Sequence, residues 1–332
     1  MPAAATSDDA DLHRISSMFT RITKELPLQH GPIFSKERIK YDDSHHTKQL
    51  LTVQVKNAGA ELCSIKDKAG TEYLFDANPA YWGRSAPVLF PFVGSLKNKS
   101  FVYEGKSYQM GQHGFARDRD FSLLQKEEAS IWFRLTSNEE TLVIYPFSFV
   151  LDIGYQLEGN SIRVLWKVHN PSDKSLLFSI GAHPAFLCPP CGGGMDGCYL
   201  GFDLPGNLSY RLLNNQGLVT EQTHSLLLQD GLLRLSPSLF DRDALIVEGK
   251  QAGRVWLADR EKKPFVTVEF NAPLFGIWSP AGKNAPFVCI EPWYGRCDAE
   301  DFSGDLTQRE YGNCISPGQV FQENYCIQIG QK

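Results

Sequence analysis

The chain has 332 residues, 42% of them apolar and 12% aromatic, with 38 Asp and Glu against 33 Lys and Arg for a net charge of −5. That composition excludes a disordered chain, and an isoelectric point near 5.9 argues against a protein that binds nucleic acid by neutralising phosphates. No apolar run approaches the roughly 18 residues of a membrane span, so a soluble, cytoplasmic globular protein is expected.

Residues 12–26 carry helical spacing. Leu12, Ile15, Phe19, Ile22 and Leu26 fall on one stripe, with Arg14, Arg21 and Lys24 nearby. A transit peptide shares part of that pattern, but Asp8, Asp9 and Asp11 count against one. We expect residues 1–45 to form an N-terminal appendage with an amphipathic helix over 12–26, and residues 46–332 to form a single domain. The eight cysteines come without an apolar signal peptide and are expected to be mostly reduced.

After residue 45, alternation with period 2 dominates, the mark of strands with one face buried. Leu51, Val53 and Val55 alternate with polar residues, as do Ile162, Val164, Trp166 and Val168. Glu158-Gly-Asn joins two alternating runs, so 147–168 is predicted to be an antiparallel hairpin. Val266, Val268 and Phe270 repeat the pattern, as do Tyr325, Ile327 and Ile329. No alternation of strand with helix appears, which disfavours a parallel sheet. The expected class is mainly β, a large antiparallel sandwich with few short helices.

Four aromatic, Gly- or Pro-rich segments hold the candidate polar groups. In Gln112-His-Gly-Phe-Ala-Arg-Asp, His113 sits beside glycine with Arg117 four positions on; a histidine there is either a hydrogen-bonded structural residue or a ligand contact. In Ser179-Ile-Gly-Ala-His-Pro-Ala-Phe, His183 precedes a proline, so the strand must end or bulge. In Phe287-Val-Cys-Ile-Glu-Pro-Trp-Tyr-Gly, Glu291 is read as the end of an apolar strand, where desolvation raises a carboxyl pKa toward that of a general acid or base. Trp293 beside it could stack on a sugar ring. In Phe240-Asp-Arg-Asp-Ala-Leu-Ile, Asp243 is either a cap or a second carboxylate of the site. Trp278, in Gly276-Ile-Trp-Ser-Pro, is either a cleft residue or core.

At these segments the sequence resembles the aldose 1-epimerase (galactose mutarotase) family, most of all its LacX-type branch. The matching stretches run in family order: Asn57-Ala-Gly-Ala-Glu-Leu, Glu72-Tyr-Leu-Phe, Trp82-Gly-Arg-Ser-Ala-Pro-Val-Leu-Phe-Pro-Phe-Val-Gly, Gln112-His-Gly-Phe-Ala-Arg, Tyr145-Pro-Phe-Ser-Phe, Gly181-Ala-His-Pro-Ala-Phe, Phe240-Asp-Arg-Asp-Ala and Cys289-Ile-Glu-Pro-Trp. The resemblance implies a β-sandwich with a sugar-sized cleft and an isomerase that needs no cofactor or metal. It implies Glu291 as the base at the anomeric hydroxyl, His183 as the acid at the ring oxygen, His113 as a second histidine holding a sugar oxygen, and Asp243 on sugar hydroxyls. The partner it implies is a small sugar or sugar phosphate, for a monomer or homodimer without nucleic acid or membrane. An Asn-Arg pair of the better-known branch is replaced here by Leu89-Phe-Pro-Phe-Val-Gly-Ser-Leu. Arg84 and Arg117 are then expected to supply contacts, and two arginines equally suit a phosphate.

Three rival readings stand beside this one. The loop Cys188-Pro-Pro-Cys191, with Cys198, could bind metal or cycle redox states, although no second C-x-x-C completes a zinc pattern. His113, His183 and Glu291 could be a two-His, one-carboxylate metal site. The chain could also bind a sugar or sugar phosphate without turning it over.

Overall fold

The computed structural model describes residues 36–40 and 51–330; the helix expected over 12–26 lies outside them. The alternating segments form strands with the predicted burial. Leu51–Lys56 buries every second residue, and Ser161–His169 does the same. The predicted hairpin is present as Val150–Glu158 paired antiparallel with Ser161–His169, Glu158 facing Ser161 across the turn. Lys36–Lys40, within the stretch expected to be an appendage, pairs antiparallel with Leu51–Lys56.

Two large antiparallel sheets make the sandwich. The first runs, in spatial order, Leu232–Arg234, Tyr199–Phe202, Arg254–Ala258, Pro264–Phe270, Val320–Ile329, Ser161–His169, Val150–Glu158, Ser130–Thr136 and Ser122–Lys126. The second runs Val219–Leu227, Asn207–Leu213, Leu245–Glu248, Leu274–Trp278, Phe287–Tyr294, Ile180–Ala182 and Val88–Leu89, with Ala185–Leu187 also on Phe287–Tyr294. Helix among the described residues is limited to Glu139–Ile144, capped by Asn138, and a few 3₁₀ turns. None is long and apolar enough to cross a membrane.

The core lies between the sheets. Val164, Trp166, Val266 and Val268 of the first meet Val247, Phe275, Ile277, Val288 and Ile290 of the second, all essentially inaccessible to water. The second sheet is covered on its other face too. There Leu274, Ile246 and Trp293 form one apolar cluster, and Phe287, Cys289, Phe75 and Ala185 form another. A strand buried on both faces should read as a continuous apolar run, and Phe287–Tyr294 is buried at every position. A carboxylate on that strand therefore enters the protein interior, and this places the candidate site.

Candidate active site

Glu291 sits in the middle of Phe287–Tyr294, not at its end as the sequence suggested. Gly276 is its partner on one side. On the other side Gly181 pairs with Trp293 and Ala185 with Cys289, so the register is the same before and after a break at His183-Pro184. Counting along that register puts His183 opposite Glu291. Side chains opposite one another on neighbouring strands share a face, and His183 Nδ1 approaches Glu291 Oε1 to 3.4 Å. Proline 292 misled the reading because proline usually ends a central strand. Here Pro292 stays in register with Phe275 on one side, and on the other side the ladder has already stopped where it would meet Ala182.

The pair lies in a cavity of about 250 Å³, at the small end of ligand pockets and suited to one ring-sized molecule. Glu291, His183, His113, Arg117, Asp243, Trp278 and Trp293 all line it. Arg84 does not: its guanidinium bonds Asp118 at 2.5 Å and the Arg117 carbonyl at 3.3 Å. The sequence reading missed Trp82 and Gln112, which line the cavity too. Trp82 stacks on His183 with centroids 4.6 Å apart, and Trp278 presents its edge to the same imidazole at 5.3 Å. Both missed residues lie in loops without periodicity, and the only signal was their place in the quoted motifs.

Trp293 needs glycine on both sides. A Cβ on Gly276 would come within 2.4 Å of its indole ring, and one on Gly181 within 2.6 Å. Two side-chain-free positions thus let a tryptophan lie flat across the sheet beside Glu291. His113 and Asp243 have φ of 67° and 71°. Left-handed backbone is uncommon for residues other than glycine and costs free energy, and it clusters at sites where side-chain aim matters.

Electrostatics sets the proton inventory. Glu291 is 1% exposed, and burial pushes its carboxyl well above the usual carboxylate range, with the negative charge of Asp243 adding to the effect. The Trp293 indole N–H nearby favours the charged form, but neither it nor Glu291 Oε2 makes a hydrogen bond of ordinary geometry. Burial lowers His183 to about 3, and the charges of Arg117 and Arg84 oppose its protonation further. Burial also lowers His113, with His183 and the two arginines adding to it. Geometry gives His113 a second reason: its Nδ1 accepts the Gly94 N–H at 3.0 Å. The neutral ring must then carry its proton on Nε2, a donor fixed in the cavity wall.

His113, His183 and Glu291 line one cavity, with the two imidazole rings 5.6 Å apart, but the three do not form a group of converging ligand atoms among the described residues. Among the described residues, the metal-ligand-type side chains that converge are His183, Cys289 and Glu291. In the cysteine loop Cys188 and Cys198 are buried and Cys191 is exposed.

A double-sided sheet with a Glu–His pair in an aromatic cavity is an arrangement for moving protons on a small polar molecule. Residues 44–298 match the aldose 1-epimerase family. The chain belongs to that family. It is 34% identical to the chromosomal protein LacX of Lactococcus lactis over 291 residues, covering 85% of this chain and 97% of that protein. The crystal structure of a galactose mutarotase related enzyme from Lactobacillus acidophilus superposes with a TM-score of 0.81 at 36% identity, over 90% of this chain and 98% of that one. A galactose mutarotase-like protein from Lactobacillus casei gives 0.79 at 28% identity, over 88% and 100%.

Proposed function

We propose that the protein is a mutarotase, interconverting the α and β anomers of an aldose by opening and closing its ring. The observation that carries this reading is the facing Glu291–His183 pair, 3.4 Å apart inside a tryptophan-walled cavity. Anomer exchange removes a proton from the anomeric hydroxyl and delivers one to the ring oxygen. The C1–O5 bond breaks, the aldehyde forms, C1–C2 rotates, and closure on the other face reverses both transfers. A carboxylate and an imidazolium accomplish this as a pair, with no net change in protons.

One proton shared by the pair suits both halves of the cycle. As carboxylate and imidazolium the pair is set to open a ring. As carboxylic acid and neutral imidazole, the form that burial favours on both sides, it is set to close one. The Nε2–H of His113 would hold a sugar oxygen while charge builds on it. The carboxylate of Asp243, which accepts the Ala244 N–H at 2.8 Å, would bind hydroxyls. Trp293, Trp82 and Trp278 would present apolar surface to the ring's C–H faces.

A second substrate class, the hexose 6-phosphates, is favoured by Arg117. It lines the cavity, and among the described residues its Nε makes no hydrogen bond, with Asp118 Oδ2 3.8 Å away. Polarimetry of freshly dissolved glucose, galactose and their 6-phosphates tests both readings. Faster decay of rotation with a neutral sugar supports the first, and a preference for the phosphates selects the second. Binding without acceleration of any of them would make the chain a sugar-binding protein.

A further inference from the structure

We propose that a soft divalent cation, Zn²⁺ foremost, binds at the cavity wall on His183 and Glu291, which line the cavity, and on the fully buried Cys289 beside them, and that the metal shuts the site by occupying the acid–base pair. Cys289 and Glu291 are alternate residues of Phe287–Tyr294 and so share a face. His183 faces them across the interrupted ladder. One donor atom from each lies within 4.8 Å of the others. Zn–S, Zn–N and Zn–O bonds of about 2.0–2.3 Å put tetrahedral donors roughly 3.3–3.8 Å apart, so the site closes with shifts of about 1 Å.

Two further observations point to a ligand. All three residues are more than nine-tenths buried, and among the described residues neither His183 Nδ1, 3.4 Å from Glu291 Oε1, nor Glu291 Oε2 makes a hydrogen bond. A buried polar atom without a partner costs free energy that coordination would recover. The charge also balances. A thiolate and a carboxylate neutralise a dication, which suits a chamber walled by Trp82, Trp278 and Phe287. Burial keeps the Cys289 thiol protonated in the free protein. Coordination by sulfur uses the thiolate, so binding releases the Cys289 proton to solvent.

The shut-off rests on the mutarotase reading, whereas the binding does not, so the two are measured separately. Co²⁺ serves as the probe in the absence of sugar. We expect one Co²⁺ per chain, with a thiolate-to-cobalt absorption band that Zn²⁺ displaces. Cys289→Ala should lose the band and weaken binding by about a hundredfold or more, beyond the roughly 10–100-fold cost of losing a supporting partner. Cys289→Ser is the second variant should the alanine fail to fold. Cys191→Ser controls for the cysteine loop and should leave the band intact. In the activity arm, Zn²⁺ should abolish wild-type anomer exchange, a chelator should restore it, and Cys289→Ala should stay active at the inhibitory concentration. A wild-type protein without the band, or a Cys289 variant that keeps it, overturns the site. A Cys289 variant as zinc-sensitive as wild type overturns the shut-off. A protein that binds Co²⁺ through Cys289 yet never accelerates anomer exchange overturns the mutarotase reading and leaves the metal site standing.

Discussion

Gly94 and His113 are joined by two reciprocal bonds: His113 N–H donates to the Gly94 carbonyl at 2.8 Å, and Gly94 N–H donates to His113 Nδ1 at 3.0 Å. The backbone thereby fixes both the ring's orientation and its tautomer. A Cβ on Gly94 would come within 2.6 Å of the Cys297 Cβ, so the donor can only belong to a glycine. His113 should accordingly remain the neutral Nε2–H tautomer from pH 5 to 8, read from ¹⁵N shifts of the ring. Protonation within that range would contradict the assignment. Replacing it with alanine should lower kcat by about 10²–10³, the usual effect of removing a preorganised donor.

Gly276→Ala tests the floor of the cavity. The new methyl meets the Trp293 ring, which cannot move away from the sheet without vacating the site. Overpacking of this kind costs about 1–3 kcal/mol. We expect a lower urea midpoint, altered tryptophan fluorescence and a raised KM. A variant with wild-type midpoint and KM would show that the indole is freely displaced.

The arginines should separate. Both pair with Asp118, Arg84 at 2.5 Å and Arg117 at 3.8 Å, but only Arg117 lines the cavity. Arg117→Ala should reduce kcat/KM roughly 10–100-fold, the value of a charge-assisted bond of about 1.5–3 kcal/mol. Arg84→Ala should change it by less than about fivefold, as expected for a partly exposed ion pair. Equal losses would place Arg84 on the substrate.

Stability should depend on pH in two opposed ways. His183 has a folded value of about 3, below its unfolded one. Its contribution is present above about pH 6.5 and is lost as pH falls toward 3. At pH 5 that loss is on the order of 1–2 kcal/mol, and His183→Asn should remove it from the urea-unfolding curve. Glu291 is raised when folded. Its contribution is complete below about pH 4.5 and is lost as pH rises through the folded value. Glu291→Gln should therefore be more stable than wild type at pH 8. A less stable Glu291→Gln at that pH would mean the carboxylate is stabilised where it lies.

Much of this was legible in the sequence because burial on one face writes itself as alternation. The hairpin of Val150–Glu158 and Ser161–His169 is the plainest case. Glu291 was legible as chemistry but misplaced, because its strand is buried on both faces and a doubly buried strand has no period to locate its ends. The closeness of His183 and Glu291 could not be read at all. It depends on the register across a broken ladder, a long-range property that neither segment carries alone. Arg84 was expected in the cleft in place of the missing Asn-Arg pair, while the acid that bonds it, Asp118, lies 34 positions away. Glu61 stayed silent for the same reason. It is fully buried, pairs with Lys56 and accepts the Ser85 and Ala86 N–H groups, anchoring the loop that carries Trp82 and Arg84.

The central claim is that Glu291 and His183 open and close a sugar ring as one acid–base pair. Exchange NMR of an equilibrated aldose, followed anomer to anomer with wild type and Glu291→Gln at equal concentration, tests it most directly. The account predicts exchange cross-peaks that grow with wild-type enzyme and a rate lower by about 10²–10⁴ in the variant, the range general acid–base catalysis supplies. A Glu291→Gln protein that exchanges anomers at the wild-type rate would contradict it.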